Sequence, residues 1–274
     1  PLMVIEPVRL SLERALLAKM GVAIDENPTA DTKAASESTS YGWRIDSIYE
    51  VIGNTAIITI DGIIDKGISN FEMSCYGGCD LADVDAALSI ADNDPKVERI
   101  ILNINSPGGS VIGVPETAAR IAGMATRKEI LARVDIMACS AAYYIASQAD
   151  RIDASESAIV GSVGVYMALL DETRALEMEG YKVELIKAGK FKAMGASFKQ
   201  LTDEERALFQ DRVDGIYNAF KGAVIAGRAA AGASVSDDSM QGQTFSGKAA
   251  LDAGITDRIV NATFDEYVAS LLIG

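Results

Sequence analysis

The stretch VERIILNINSPGGSVIGVPETAARIAGMA, residues 97–125, decides the fold. Its first nine residues are an apolar run of strand length, SPGGS then breaks the chain, and VPETAARIAGMA has helical spacing. The same order returns at once, with EILARVDIMA (129–138) reading as a strand and SAAYYIASQA (140–149) as a helix. Strands alternating with helices predict an α/β class with largely parallel pairing.

Working outward, TAIITIDGII (55–64) reads as a strand and VDAALSIADNDP (84–95) as a helix stopped by proline. DRIDAS (150–155), AIVGSVGVYM (158–167) and KVELIKAG (182–189) are expected strands. A long helix is predicted over 201–228, where Thr202 and Glu205 form a capping-box pattern. Its stripe of Leu208, Val213, Ile216, Phe220 and Val224 is expected in the core. TFSGKAALDAGITDRIV (244–260) closes the pattern with a turn, a short helix and a last strand.

Before this domain, expected over 45–274, come two other segments. Residues 1–24 carry Leu10, Leu12, Leu16, Leu17 and Met20 and read as an amphipathic helical arm, and the polar, aperiodic residues 25–44 read as a linker. Glu6, Arg9, Glu13, Arg14 and Lys19 interrupt the arm, which excludes an ordinary membrane span or a secretory leader there. The expectation is a cytoplasmic chain with no membrane anchor.

The 274 residues hold 39 acidic and 25 basic side chains, a formal charge of −14, which has the wrong sign for steering toward nucleic acid. Three cysteines and no histidine offer neither a disulfide framework nor a zinc ligand set, so neither metal nor cofactor is expected.

Two places could carry chemistry. In NSPGGS (105–110) paired glycines free backbone N–H groups to face an anion, although two glycines after a strand also make a plain tight turn. Ser140 stands at a strand-to-helix junction, where a nucleophile is exposed and the N–H of Ala141 can meet a developing oxyanion. The same position suits an N-cap serine. Without an imidazole, a serine must be activated by a carboxylate, an N-terminal amine or a lysine. The amine of Pro1 is remote in sequence. A lysine titrates near about 10.4, and burial can depress that by up to about 3 to 5 units, so a desolvated lysine suffices.

LNINSPGGSV, ACSAAYYIASQADRIDA, AIVGSVGVYM, IKAGKFKAMGASFKQLTDEERALFQ and TFSGKAALDAGITDRIV resemble, in order, the signature segments of the signal peptide peptidase A (SppA) family of Ser-Lys peptidases. EPVRLSLERALLAKMG is similar to the start of that family's phage branch, the capsid-assembly or prohead proteases. The resemblance implies Ser140 as nucleophile, Lys192 as general base, Ser162 as a hydroxyl orienting the lysine, and the N–H groups of Gly109 and Ala141 as oxyanion donors. Here SAAYY stands where the family more often has glycines after the serine. It also implies a ClpP/crotonase-like fold of repeated ββα units, a homo-oligomeric ring with active sites near subunit interfaces, and a scaffold or capsid polypeptide as substrate in the host cytoplasm or prohead. Its rivals are a peptidase degrading signal peptides, a crotonase-like acyl-CoA enzyme, and a non-proteolytic assembly protein.

Overall fold

The computed structural model describes residues 42–273, so the arm expected over 1–24 and most of the 25–44 linker lie outside the described residues. Two compact units emerge, the first built from residues up to Val163 and from Lys221 onward, the second from Gly164–Phe220.

The first unit begins with helix α1 (Gly42–Ile48) and strands β1 (Tyr49–Ile52) and β2 (Thr55–Asp61). A short excursion of β3 (Ile64–Asp65), α2 (Asn70–Tyr76) and β4 (Cys79–Asp80) precedes α3 (Leu81–Asn93). Then follow β5 (Arg99–Ser106), α4 (Val114–Met124), β6 (Glu129–Cys139), α5 (Ala141–Ala146), β7 (Arg151–Ala154) and β8 (Ile159–Gly161). Helix α6 (Thr173–Met178) and most of α7 (Asp203–Ala230) belong to the second unit. Strand β9 (Thr244–Phe245), α8 (Gly247–Asp252), β10 (Arg258–Ile259) and α9 (Phe264–Ile273) complete the first.

The sheet runs β1-β2-β5-β6-β7-β10, with β8 added to the end of β6 and β9 to β8. Its centre is parallel, as the strand–helix alternation requires, and only β1 and β9 pair antiparallel. Ile57, Ile101 and Leu131 stand in one row across β2, β5 and β6, and α9 buries Tyr267, Val268 and Ala269 against that row. The next residues along, Ile58, Leu102 and Ala132, point to the other face and are equally buried. Burial on both faces explains why these strands read as continuous apolar runs.

One charged network is sealed beneath α9. Arg133 is buried, donates to the carbonyls of Val260 and Ala262, and lies 5.2 Å from the Tyr267 ring centre. The Tyr267 hydroxyl donates to buried Asp153 at 2.8 Å. These bonds tie the last helix to the sheet and leave the buried charges with partners.

Thr202 and Glu205 form the reciprocal cap expected at the start of α7. Its stripe is core only toward the C-terminus. Phe220 and Val224 are buried, Val213 and Ile216 half-buried, and Leu208 exposed. KVELIKAG is not a strand in the structure, and AIVGSVGVYM is one only over β8. Val183 and Leu185 alternate as a strand would, but among the described residues no strand pairs with them, and both remain exposed. The β1–β2 hairpin, which was not among the expected elements, turns on the two-residue loop Gly53-Asn54.

The end of α7 packs tightly on the residues after α5. A Cβ at Gly227 would lie 2.3 Å from the Ser147 carbonyl oxygen, whereas one at Gly222 meets nothing within 4 Å. In urea unfolding, Gly227→Ala is expected to lower stability by about 1–3 kcal/mol, because overpacking outweighs helix propensity. Gly222→Ala should raise it by about 0.5–1 kcal/mol.

Candidate active site

The parallel strands β5, β6 and β8 end side by side, and their C-terminal ends carry the candidate residues. Cys139 pairs with Gly161, and the N–H of Ser140 donates to the Gly161 carbonyl at 2.9 Å. Ser140 and Ser162 therefore leave neighbouring strands at the same level. They are also the only non-glycine residues with positive φ among the described residues, at 53° and 55°. Such backbone costs of order 1–3 kcal/mol per residue and persists only where the surroundings impose it.

The imposing contacts are visible. The carbonyl of Ser140 accepts from Tyr144 N–H inside the first turn of α5, and its own N–H is held by β8. At Ser162 the N–H donates to the Gln243 carbonyl at 2.8 Å. Ser140 makes no side-chain cap to α5, so its hydroxyl is not engaged in ending the helix. Ser140 thus occupies the N-cap position without making the cap bond, and it is half-buried.

The glycine loop lies directly on this elbow. Gly108 has φ 96°, and a Cβ there would come within 2.7 Å of both Ser140 Cβ and the Cys139 carbonyl oxygen, and 2.9 Å from Ala141 N. Its N–H donates to the buried Ser106 hydroxyl at 3.1 Å, and its carbonyl accepts from Ile64 N–H at 2.9 Å. A Cβ at Gly109 would fall 2.0 Å from the Ile64 carbonyl oxygen, which itself accepts from Ser110 N–H at 2.8 Å. Both glycines are thus required by close approach, which is more than a tight turn demands. Neither Gly109 N–H nor Ala141 N–H meets an acceptor among the described residues. Two open donors beside one hydroxyl can hold the oxyanion that forms on a carbonyl attacked by such a hydroxyl.

Four of the five candidate residues, Gly109, Ser140, Ala141 and Ser162, thus gather in the first unit. Lys192 belongs to the second, where it is exposed on a turn whose N–H bonds back to the Gly189 carbonyl at 3.3 Å. Sequence reasoning missed the role of β3, whose Ile64 bonds the loop on both sides. Its only signal was the apolar pair Ile63-Ile64 after Asp61-Gly62, too short for a period to show.

Cys139, the neighbour of Ser140, is no competing nucleophile. Burial pushes its thiol up, and its Sγ rests 3.6 Å from the Ile159 carbonyl.

A model of peptidase family S49 matches residues 122–271, more than half of the chain. The chain belongs to this family. The match includes Ser140, Ser162 and Lys192, while the Gly108–Gly109 loop precedes it. The capsid assembly protease C of Escherichia phage lambda is 30% identical over 262 residues, covering 91% of this chain and 58% of that protein. The head-tail preconnector protein GP5 of Enterobacteria phage P21 is 28% identical over 229 residues, 81% of this chain and 44% of that one. This S49 chain therefore spans about half the length of these phage relatives. Among solved structures, the 1510-N membrane-bound stomatin-specific protease aligns over 78% of the chain and 83% of its own, with 14% identity and a TM-score of 0.44. No helix among the described residues is long and apolar enough to cross a membrane.

Thiol chemistry gives an independent check on burial here. Burial first, then the charges of Asp80, Asp83 and Asp61, push the Cys79 thiol up to about 12, while Cys75 is exposed. Iodoacetamide at pH 8 should alkylate Cys75 in the native protein and spare Cys79 and Cys139, as read by peptide mass spectrometry. All three should react in urea.

Proposed function

We propose that the chain is a serine endopeptidase with Ser140 as nucleophile and Lys192 as general base. The observation that carries the reading is the pair of strained serines on adjoining strand ends, one of them beside two open backbone N–H groups. In this reading Ser140 Oγ attacks the scissile carbonyl while a neutral Lys192 amine takes its proton. The proton then passes to the leaving amine, and water cleaves the acyl-enzyme by the same route. The Ser162 hydroxyl orients the amine. Gly109 and Ala141 hold the oxyanion, and losing one such donor typically costs about 2.7–4 kcal/mol of barrier.

The substrate we infer is a scaffold or capsid polypeptide, cut inside a prohead in the host cytoplasm. The support is the naming of the lambda relative as a capsid assembly protease. We further infer a homo-oligomeric ring in which Lys192 serves a serine of its own or a neighbouring copy. Tyr166 and Ile186 of the second unit, 90% and 91% exposed, fit a surface that assembly would cover.

A fluorophosphonate probe tests the chemistry. It should modify Ser140 at pH 8 to 9 in an assembled sample, and labelling should drop at least about a hundredfold in Lys192→Ala. Ser140→Ala should show no labelling and no cleavage of the scaffold protein by mass spectrometry. Labelling that ignores Lys192→Ala would remove the lysine from the mechanism.

A further inference from the structure

The oxyanion donor assigned to Gly109 is one half of a planar peptide, and the other half is already bound. The peptide joining Gly108 to Gly109 points its C=O and its N–H in opposite directions. Ile64 N–H takes the Gly108 carbonyl at 2.9 Å, so the Gly109 N–H must face away from β3. Glycines on both sides make a flip of that peptide sterically easy, and the bond to Ile64 opposes it.

Strand β3 is two residues long and could not hold this position by itself. It pairs with β4 through Ile64 with Cys79 and Asp65 with Asp80, and Cys79 N–H donates to the Ile63 carbonyl at 2.9 Å. The Asp80 carboxylate then fixes the turn that follows β3, accepting from Gly67 N–H at 3.0 Å and Ile68 N–H at 2.8 Å. The same carboxylate caps α3 through Ala82 N–H at 2.9 Å. Arg44 of α1 closes the arrangement, with Nη2 at 2.8 Å from Asp80 and 2.6 Å from Asp83, and Nη1 donating to the Ile68 carbonyl at 2.8 Å. Arg44 is 2% exposed and Asp80 4%, so this is an internal anchor.

We propose that the buried Arg44–Asp80 pair is a positioning device for the oxyanion site: through β3 it keeps the Gly108–Gly109 peptide turned with its N–H toward the reacting carbonyl. The inference rests on the peptidase reading above. It assigns a part in the reaction to two residues that touch no substrate.

The test is steady-state kinetics of the full chain on a peptide that the wild type cleaves, with kcat and KM read separately. It adds the inhibition constant of a peptide aldehyde, whose hemiacetal oxygen takes the oxyanion position. In Asp80→Ala, kcat should fall at least about tenfold with KM nearly unchanged, since a transition-state interaction is what weakens. Aldehyde binding should weaken by the same factor as kcat/KM. Arg44→Met should behave alike, and Arg44→Lys should recover part of the loss. Should Asp80→Ala fail to fold by circular dichroism, Asp80→Asn decides. Tyr267→Phe, which loosens the remote Asp153 network, controls for destabilisation and should keep its kcat. An Asp80 variant with unchanged kcat per folded molecule, or one whose aldehyde affinity does not follow, overturns the proposal. A wild type that neither cleaves nor labels at Ser140 overturns the peptidase reading, and the brace with it.

Discussion

No atom fits between Gly108 and the Ser140 elbow, and most of the first unit can be understood as what makes that approach possible. A Cβ at position 108 would stand 2.7 Å from Ser140 Cβ, well inside contact distance. The loop therefore cannot be a generic turn that happens to lie near a serine. It has to be glycine, it is held from behind by Ser106 and Ile64, and the serine packed on it has a positive φ. Strain at one residue and lost side chains at two others are the local cost of placing two donors and one hydroxyl together.

That cost is borne by buried charge as much as by apolar packing. At Asp153, which also pairs with Arg151 and Arg258 of the sheet, Tyr267 binds the last helix; around Arg44, two aspartates bind the β3 excursion to α3. The two aspartates of the second cluster respond oppositely. Burial would raise Asp80, but N–H donors from Ala82 and Gly67, with Arg44, hold its carboxyl below the usual range. Burial keeps Asp83 above it despite the same arginine. Stability drawn from Asp80 is present above the unfolded-state value, near about 3.9, and is lost as pH falls through the lower folded value. Ionised Asp83 instead opposes folding, and that penalty lifts as it protonates. Asp83 lacks the backbone donors, and the neighbouring charge of Asp80 raises it further.

The central architecture was legible because it is over-determined. Residues 97–138 combine strand-length apolar runs with a Pro-Gly-Gly break and a helical period, and all of these signals agree. Ser140 and the loop were legible as candidates, yet the residues alone could not show the positive φ of Ser140 or the cap bond it leaves unmade. KVELIKAG failed for a different reason. Its alternation is real, but a strand also needs a neighbour, and pairing is not a property of one segment. The role of β3 was invisible because its own bonds to the loop and to β4 are main-chain, and any sequence can make them.

What finally places the two serines together is an irregularity in β6. Its register with β5 runs from Ile104 opposite Val134 to Ser106 opposite Ala138, so β6 spends two more residues than its partner over this interval. Up to Val134 its other edge pairs with β7, and from Met137 that edge pairs with β8 instead. Had β6 kept its β7 register of Val134 opposite Ala154, Ser140 would have stood level with position 160, two residues short of Ser162. The bulge bends the strand away from β7 and opens an edge that the following segment, after a four-residue connection, returns to fill. Ser162 owes its place to that exchange of partners. The paired glycines, the strained serine and its neighbour are separate in sequence, and this shift of register is what brings them to one end of the sheet.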